Sequence, residues 1–454
     1  METRKTTQKS IRSEIDTNIK ENGYTLSKLG ELSGVNPGHL SEILNSNPPR
    51  AITIGQLDTL AKVFKKAPGW LYELYPEEEC IAEEKISRPR LIPFLVRCAE
   101  IGRQDCIDVV VSRLLENPKN VSILFTVAEQ LFQTGGKAMS VPFYQLVIEA
   151  EKDSHSDHFL ISQYRLFRAL QGTSPEDNWK AVIRFEPYRN RLSENHQLDA
   201  LLHLANACYM LQKWKDVERY ADELRTLAIA VYQDQLRKKE SCKTVEMLHT
   251  ERHLVVYYGQ SSLLKGVALT MQEQYEEAEK HVIKYTDLTW FELLDEIGHK
   301  EVKKFNIWGR ANLYGLNLKK GNVSILSEYV AFLQEHPNEI LPGMLTIIEA
   351  ANKHNFCIDE LLHRYSANLS SFHDHQNPIN LSQNFHFWDQ KTEYDFRKGN
   401  TSQAIDQLLL CLDLSDKMTY HQGFKRCVTK FWKHLPHATN EQKDRYEAIL
   451  EGRV

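Results

Sequence analysis

The chain has 454 residues, too many for one compact core, so we expect two or more domains or an array of repeats. Hydrophobic residues make up 42% and charged residues 26% of it, an ordinary balance for a soluble protein, and its longest apolar runs are far too short to cross a membrane. Residues 1–25 are polar and carry charges of both signs, so we expect no secretory signal and a cytoplasmic location.

The charge distribution says more than the net charge of −5, which on its own argues against nucleic-acid binding. Residues 1–72 hold ten basic and seven acidic residues, a net +3, which leaves −8 for the rest of the chain. An acidic body with a mildly basic end would confine contact with DNA to that end. The eight cysteines form no C-x-x-C pair, so we expect reduced thiols and no metal site.

The first 78 residues show apolar spacings and capping residues that are typical of five short helices. Turn residues such as Asn22-Gly23 separate them. The predicted helices are Gln8–Glu21, one capped by Thr25, Pro37–Leu44, one from Thr53 to Phe64, and one that Pro68 opens and that ends near Pro76.

The segment 26–44 carries the most specific pattern in the chain. A small residue at Gly30 lets two helices cross closely, and Gly34 allows the positive φ of the turn that follows. Asn36 is a good N-cap, with Pro37 in the first helical position, where its missing N–H costs nothing. This spacing resembles the helix-turn-helix of Cro and the phage repressors.

The resemblance implies that the start and exposed face of the third helix meet base edges in the major groove. Glu42 can accept from a cytosine amino group, and His39 can donate to a purine. The residues expected to contact bases are Asn36, Pro37, Gly38, His39, Ser41 and Glu42, and the candidate phosphate contacts are Lys28, Arg50, Lys65 and Lys66. The alternative is a helical bundle that serves in dimerisation or protein contact.

Residues 79–454 are almost entirely helical in pattern, with a linker predicted at 79–90 and a repeat domain at 91–454. Small residues recur at the twelve-residue spacing at which paired helices of a tetratricopeptide repeat touch, and Trp388 precedes Ala404 at the related spacing of sixteen. The twelve-residue pairs are Ala169/Ala181, Ala205/Val217 and Gly266/Ala278. The region 160–435 thus resembles tetratricopeptide units stacked in a right-handed superhelix, with room for a long helix at about 222–256.

Polar side chains recur on one face of several of these helices. Asn, Gln and Arg on the concave face of a superhelix can hydrogen-bond the backbone of an extended peptide. The candidate peptide-binding residues are His203, Asn206, Met210, Tyr257, Gln260, Asn306, Arg310 and Asn317. The alternative is that these are ordinary solvated faces.

Nothing in the sequence favours an enzyme. Histidines cluster at 373, 375 and 386, but there is no H-E-x-x-H metal motif, no G-x-x-x-x-G-K phosphate loop and no G-x-S-x-G nucleophile motif. We therefore expect neither a catalytic site nor a cofactor.

A repressor-type helix-turn-helix followed by degenerate tetratricopeptide-like repeats resembles the RRNPP regulators, which sense short secreted peptides. The resemblance implies an all-α homodimer: a five-helix DNA-binding domain at 1–78 that binds double-stranded operator DNA, and a right-handed superhelix that holds a signalling oligopeptide. Two alternatives remain: helical repeats that bind a protein partner, or a protein that does not bind DNA and sequesters a signalling protein.

Overall fold

The computed structural model describes residues 9–82, 85–172, 174–241, 249–366, 378–417 and 420–452, and it confirms an all-α protein. Residue contacts divide the chain into two compact units. The first comprises Met1–Gln171 with Ile183–Leu192, and the second comprises Gly172–Val182 with Ser193–Val454. The segment 79–90, predicted as a linker, therefore lies within the first unit.

The first unit begins with four short helices; three start at the predicted caps Thr25, Asn36 and Thr53, whereas the first starts after Ser10 and not at Gln8 as predicted. Ser10, Thr25, Asn36 and Thr53 are the N-caps, and the side chain of each accepts a backbone N–H of the helix that it opens. These helices are α1 (Ile11–Glu21), α2 (Leu26–Ser33), α3 (Pro37–Asn45) and α4 (Ile54–Val63).

The predicted fifth helix is wrong. Residues 68–74 form successive turns instead, and Pro76–Cys80 form one π-helical segment. Gly69 and Leu71 have φ values of 82° and 64°, which no right-handed helix accommodates. The chain accepts this conformation because Leu71 is buried and the Gly69 carbonyl accepts from the Arg103 guanidinium at 2.7 Å.

Beyond a two-residue hairpin, β1 (Ile81–Ala82) paired antiparallel with β2 (Lys85–Ile86), the first unit is again helical. Its further helices are α5 (Arg88–Ile101), α6 (Gln104–Leu115), α7 (Val121–Gln133), α8 (Lys137–Ala150) and α9 (Asp157–Ala169). One hydrophobic core runs from Ile11 to Leu166, so the four N-terminal helices do not have a core of their own.

Helix α5 is the element that closes this shared core. Phe94 packs against Tyr72 and stacks on Tyr75, with ring centroids 5.5 and 5.2 Å apart. Asp58 on α4 accepts from the Tyr72 hydroxyl and from the Arg97 guanidinium, both at 2.7 Å. The first four helices are therefore fixed to α5 by apolar packing and by a hydrogen-bonded ion pair.

The second unit is a succession of helices joined by turns. They are α10 (Pro175–Phe185, whose last three residues belong to the first unit), α11 (Glu194–Met210), α12 (Trp214–Glu240), α13 (Leu254–Met271), α14 (Tyr275–Thr286), α15 (Glu296–Lys319), α16 (Leu326–Glu335), α17 (Ile340–His354), α18 (Asp359–Arg364), α19 (Pro378–Lys398), α20 (Thr401–Lys417), α21 (His421–His434) and α22 (Asn440–Leu450). The long helix predicted at 222–256 is wrong in its bounds, because α12 ends at Glu240 and α13 starts after its N-cap His253.

Consecutive helices from α11 to α15 pack against each other, and alternate helices also touch: α11 with α13, α13 with α15, and α15 with α17. The repeat-pattern pair Gly266 and Ala278 lies at one of these contacts. A Cβ on Gly266 of α13 would lie 3.6 Å from the carbonyl oxygen of Ala278 on α14, and Ala205 and Val217 are fully buried in α11 and α12. Helices α11, α13 and α15 therefore each pack on the next-but-one helix, and α11 and α13 also pack on the helix that follows them directly.

Candidate functional site

The connection between α2 and α3 is a tight turn built on two glycines. Gly34 has a φ of 70° and donates its N–H to the Gly30 carbonyl, which ends α2. A Cβ on Gly30 would lie 2.7 Å from Cγ of Pro37 and 2.9 Å from the Val35 carbonyl oxygen. No larger residue fits at position 30 without displacing the start of α3.

Helix α3 presents its first turn to solvent and buries its opposite face. Asn36, Pro37 and Gly38 are exposed, whereas Leu40 and Ile43 are 1% exposed. The amide oxygen of Asn36 accepts the Gly38 N–H at 2.8 Å. That oxygen caps the helix, and the NH₂ group of Asn36 remains to donate to a base edge.

The remaining predicted base contacts differ in accessibility. His39 and Ser41 are half-buried, and Glu42 is exposed. Glu42 pairs with Arg50 at 2.6 Å, and this hydrogen bond and charge lower the pKa of the Glu42 carboxyl. A base contact by Glu42 and a phosphate contact by Arg50 would therefore compete with an ion pair already present. Lys28 is exposed and pairs with Glu31 at 3.0 Å.

Arg12 of α1 was not among the predicted site residues, yet it fixes the end of α3. Its guanidinium donates to the carbonyls of Ile43 at 3.1 Å and Arg50 at 3.3 Å. It also pairs with Glu79, which is buried, at 2.8 Å. No local pattern in the sequence could indicate contacts that span 31 to 67 residues.

In the second unit, the predicted peptide-binding residues divide into two groups. Asn206 and Met210 on α11 and Arg310 on α15 are exposed, and Gln260 on α13 is half-buried. The Arg310 guanidinium lies 4.9 Å from the centre of the Phe332 ring. These four side chains lie on α11, α13 and α15. Helix α13 contacts both α11 and α15, so the fold brings the three helices side by side.

The second group is used by the fold itself. Tyr257 is fully buried; its hydroxyl donates to Asp199 and accepts the Arg252 N–H at 3.0 Å. The prediction that Tyr257 lines an accessible groove is therefore wrong. The helical spacing was right, but spacing does not reveal contacts between distant residues. The Asp199 carboxylate accepts from the Tyr257 hydroxyl and from the backbone N–H of Glu251.

Three further members of this group make hydrogen bonds within the unit. His203 lies 3.1 Å from the Glu251 carboxylate. The amide of Asn306 donates to the Thr286 carbonyl at 3.0 Å, and that of Asn317 donates to the Leu313 carbonyl at 3.0 Å. These side chains hold loops and helix ends in place, and their availability to a peptide is correspondingly reduced.

Two surface cavities lie away from these residues. One, of about 390 Å³, is lined by α5, α6 and α8, and the other, of about 670 Å³, by α16 and α18 with the residues beside them. Within the described ranges, no group of three or more His, Cys, Asp or Glu residues is placed to hold a metal ion. His373 and His375 lie outside the described residues, and burial lowers the pKa of His386.

No helix in the described part of the chain combines the length and apolarity that crossing a membrane requires. No family model matches the chain, and no curated protein matches it either. The function therefore has to be argued from the chain's own residues.

Proposed function

We propose that this protein is a sequence-specific DNA-binding transcriptional regulator whose α2–α3 segment is a helix-turn-helix. The observation that carries the proposal is the geometry at Gly30, Gly34 and Asn36: a left-handed turn, a close helix crossing and a capped helix whose first turn is open to solvent. A helix presented in this way fits the major groove of B-form DNA. The net +3 of residues 1–72 supplies attraction for phosphates.

The test is selection of binding sites from a random double-stranded library, followed by anisotropy titrations on the selected duplex at several salt concentrations. Lys28→Glu should weaken binding at all sequences and reduce the salt dependence by about one counterion. The matched control is Lys280→Glu, because Lys280 is also an exposed lysine paired with a glutamate three residues away on its helix. Failure to enrich any duplex would contradict the DNA-binding proposal, as would equal effects of the two variants.

Base reading is tested at His39, because this residue lies in the first turn of α3 and is not the N-cap of the helix. His39→Ala should relax selectivity at one or two positions of the selected site and cost about 1–3 kcal/mol on the preferred sequence. Asn36→Ala is less informative, because it also removes the cap that holds α3. An unchanged sequence preference in His39→Ala would remove His39 from the readout.

We further propose that a short signalling peptide controls this regulator and binds along α11, α13 and α15. The support is that Asn206, Met210, Gln260 and Arg310 leave polar or soft apolar groups accessible on α13 and on the two helices that contact it, α11 and α15. Amide and guanidinium groups so spaced are what an extended peptide backbone requires. Binding would alter DNA affinity only if the peptide prefers one of two conformations of the protein.

Calorimetry with short peptides encoded beside the gene tests this proposal. Asn206→Ala and Arg310→Ala should each weaken binding about tenfold or more, whereas Asn338→Ala, an exposed asparagine on a different segment, should not. Binding that is indifferent to both substitutions would place the peptide elsewhere. Binding of a folded protein but of no peptide would favour the alternative of a protein partner.

A homodimer is the third part of the proposal, and the C-terminal helices offer a surface for it. Helix α21 exposes Lys425 and Lys433, and α22 exposes Glu441, Asp444 and Glu447 beside one basic residue, Arg445, so that these four residues of α22 carry a net charge of −2. A twofold axis would place the basic face of one copy against the acidic face of the other, twice. Lys425→Glu with Lys433→Glu should yield monomers in sedimentation experiments, and added Glu441→Lys and Glu447→Lys should restore the dimer. A variant that stays dimeric would exclude this surface.

A further inference from the structure

The smaller of the two cavities, about 390 Å³, lies within the first unit and is lined by one face each of α6 and α8 and by the C-terminal end of α5. The lining side chains from Gln104 to Val111 on α6 and from Met139 to Leu146 on α8 recur at the three- and four-residue spacings of a single helix face. A cavity that binds a small molecule usually has a volume of about 300–1,000 Å³. This one is therefore large enough to hold such a ligand.

Most of the lining is apolar. Ile107 and Phe143 are 5% and 2% exposed and belong to the core of the first unit, so they form a fixed wall. Met139 is 37% exposed, and its flexible, polarisable thioether adapts to ligands of different shape. Leu146 is half-buried beside them. An apolar group that enters the cavity leaves water and contacts this wall, which favours binding.

The charged residues of the lining are both acidic. Asp108 on α6 and Glu149 on α8 are exposed, and no ion pair of either carboxylate occurs within the described ranges. Asp108 accepts from the Gln104 amide at 2.7 Å through one oxygen, and its other oxygen keeps its capacity to accept. Two carboxylates on facing helices therefore remain available to a donor in the cavity.

Among the described residues, no lysine, arginine or histidine lines this cavity. Arg103, next to the lining, is engaged elsewhere, because its guanidinium pairs with Asp105 at 2.8 Å and donates to the Gly69 carbonyl at 2.7 Å. Lys137, at the start of α8, lies 5.6 Å from the centre of the Phe132 ring. The lining thus carries a formal charge of −2 at neutral pH. It repels an anion and attracts a cation.

We propose that this cavity binds an amphipathic organic cation, a small molecule that carries an ammonium group on an apolar chain or ring. The ammonium donates to the carboxylates of Asp108 and Glu149, and the apolar part contacts Ile107, Met139 and Leu146. The apolar contact supplies most of the affinity and the carboxylates supply the selectivity, because exposed ion pairs are weak in water. The site is independent of the proposed DNA and peptide contacts, none of which uses these residues.

The experiment is calorimetry of the full chain with n-decylammonium, at constant ionic strength and at concentrations at which the amphiphile does not aggregate. We expect saturable binding of one cation per chain. Decanoate, which has a similar chain and the opposite charge, should show no saturable binding. Octylammonium, shorter by two CH₂ groups, should bind about 15-fold more weakly, because each buried CH₂ group contributes about fourfold in affinity.

Two matched pairs of variants locate the site. Glu149→Gln should weaken decylammonium binding about fivefold, and Glu116→Gln should change it less than twofold. Both glutamates are exposed and have no ion pair within the described ranges, but only Glu149 lines the cavity. Met139→Lys places a positive charge in the lining and should abolish binding, whereas Met271→Lys, at an exposed methionine of α13, should leave it unchanged. Circular dichroism of each variant verifies that it is folded.

Three outcomes would overturn the proposal. The first is absence of saturable decylammonium binding. The second is equal affinity for decanoate, which would show an apolar cavity without preference for a cation. The third is an equal loss of affinity in the two glutamate variants, which would place the cation elsewhere on the acidic surface.

Discussion

The α2–α3 segment of the first unit and the α11–α15 helices of the second show how differently a sequence encodes two kinds of surface. In the first, caps and glycine turns within twenty residues fix which side chains are exposed, and the predicted caps Thr25 and Asn36 are confirmed. In the second, the helical spacing is correct, but Tyr257, which it assigns to an accessible face, is buried in the core. Local signals determine a turn, whereas the exposure of a helix face depends on what packs against it.

The largest effect is expected at Gly30, where the two helices of the α2–α3 segment cross most closely. Gly30→Ala should destabilise the first unit by about 3 kcal/mol, because its Cβ meets the rigid Pro37 ring and a backbone carbonyl. Urea unfolding and hydrogen exchange of α2–α3 peptides measure the effect.

The control is Gly55→Ala in α4, where a Cβ meets nothing within 4 Å. That change should be neutral or stabilise by up to about 1 kcal/mol, since alanine favours the helix. If both substitutions had the same effect, the close crossing at Gly30 would not be a requirement.

The second unit is tested at Tyr257. Tyr257→Phe should cost about 2 kcal/mol of unfolding free energy, because it leaves the buried Asp199 carboxylate without one of its donors. The comparison is Tyr275→Phe, which removes one of two partners of an exposed lysine, Lys353, and leaves the other, Glu273; it should cost under about 0.5 kcal/mol. Equal losses of unfolding free energy in the two variants would mean that the buried hydroxyl of Tyr257 does not stabilise the fold.

Acid should destabilise the second unit through His281. Its pKa in the folded protein, about 4, lies below the ordinary value, so between about pH 6.5 and 4 the unfolded chain binds a proton that the folded chain does not. Stability should therefore fall as the pH falls through this window, by up to ~1.4 kcal/mol per pH unit. Urea titrations of His281→Gln should lose this component; an unchanged pH profile would contradict it.

The smallest difference in unfolding free energy is expected between variants of two asparagines, Asn306 and Asn206, whose roles the sequence pattern does not distinguish. Asn306→Ala removes a hydrogen bond to the Thr286 carbonyl and should cost about 0.5–1 kcal/mol. Asn206→Ala should leave unfolding unchanged, because no hydrogen bond of its side chain occurs among the described residues, and should affect only a bound peptide. Equal unfolding free energies for the two variants would erase the distinction between the two groups of groove residues.

The sequence was sufficient for the all-α class, the caps Thr25, Asn36 and Thr53 and the contact of Gly266 with α14, because each rests on neighbours within about a dozen residues. It failed at Leu71, whose positive φ is stabilised by burial in a core that includes Phe94. It also missed Arg12, whose partners are distant in the chain. Long-range contacts of this kind follow from packing, not from local pattern.

The shared core between the N-terminal helices and α5 has a consequence for how the protein is made. On the ribosome, Tyr72 and Tyr75 emerge before Phe94, the ring on which they pack. At about 5–20 residues per second, helices α1–α4 wait one second or more for α5, with their apolar faces uncovered. Helices α1–α4 are thus completed only by residues that follow them in the chain, and this interval is when a nascent chain has most need of a chaperone.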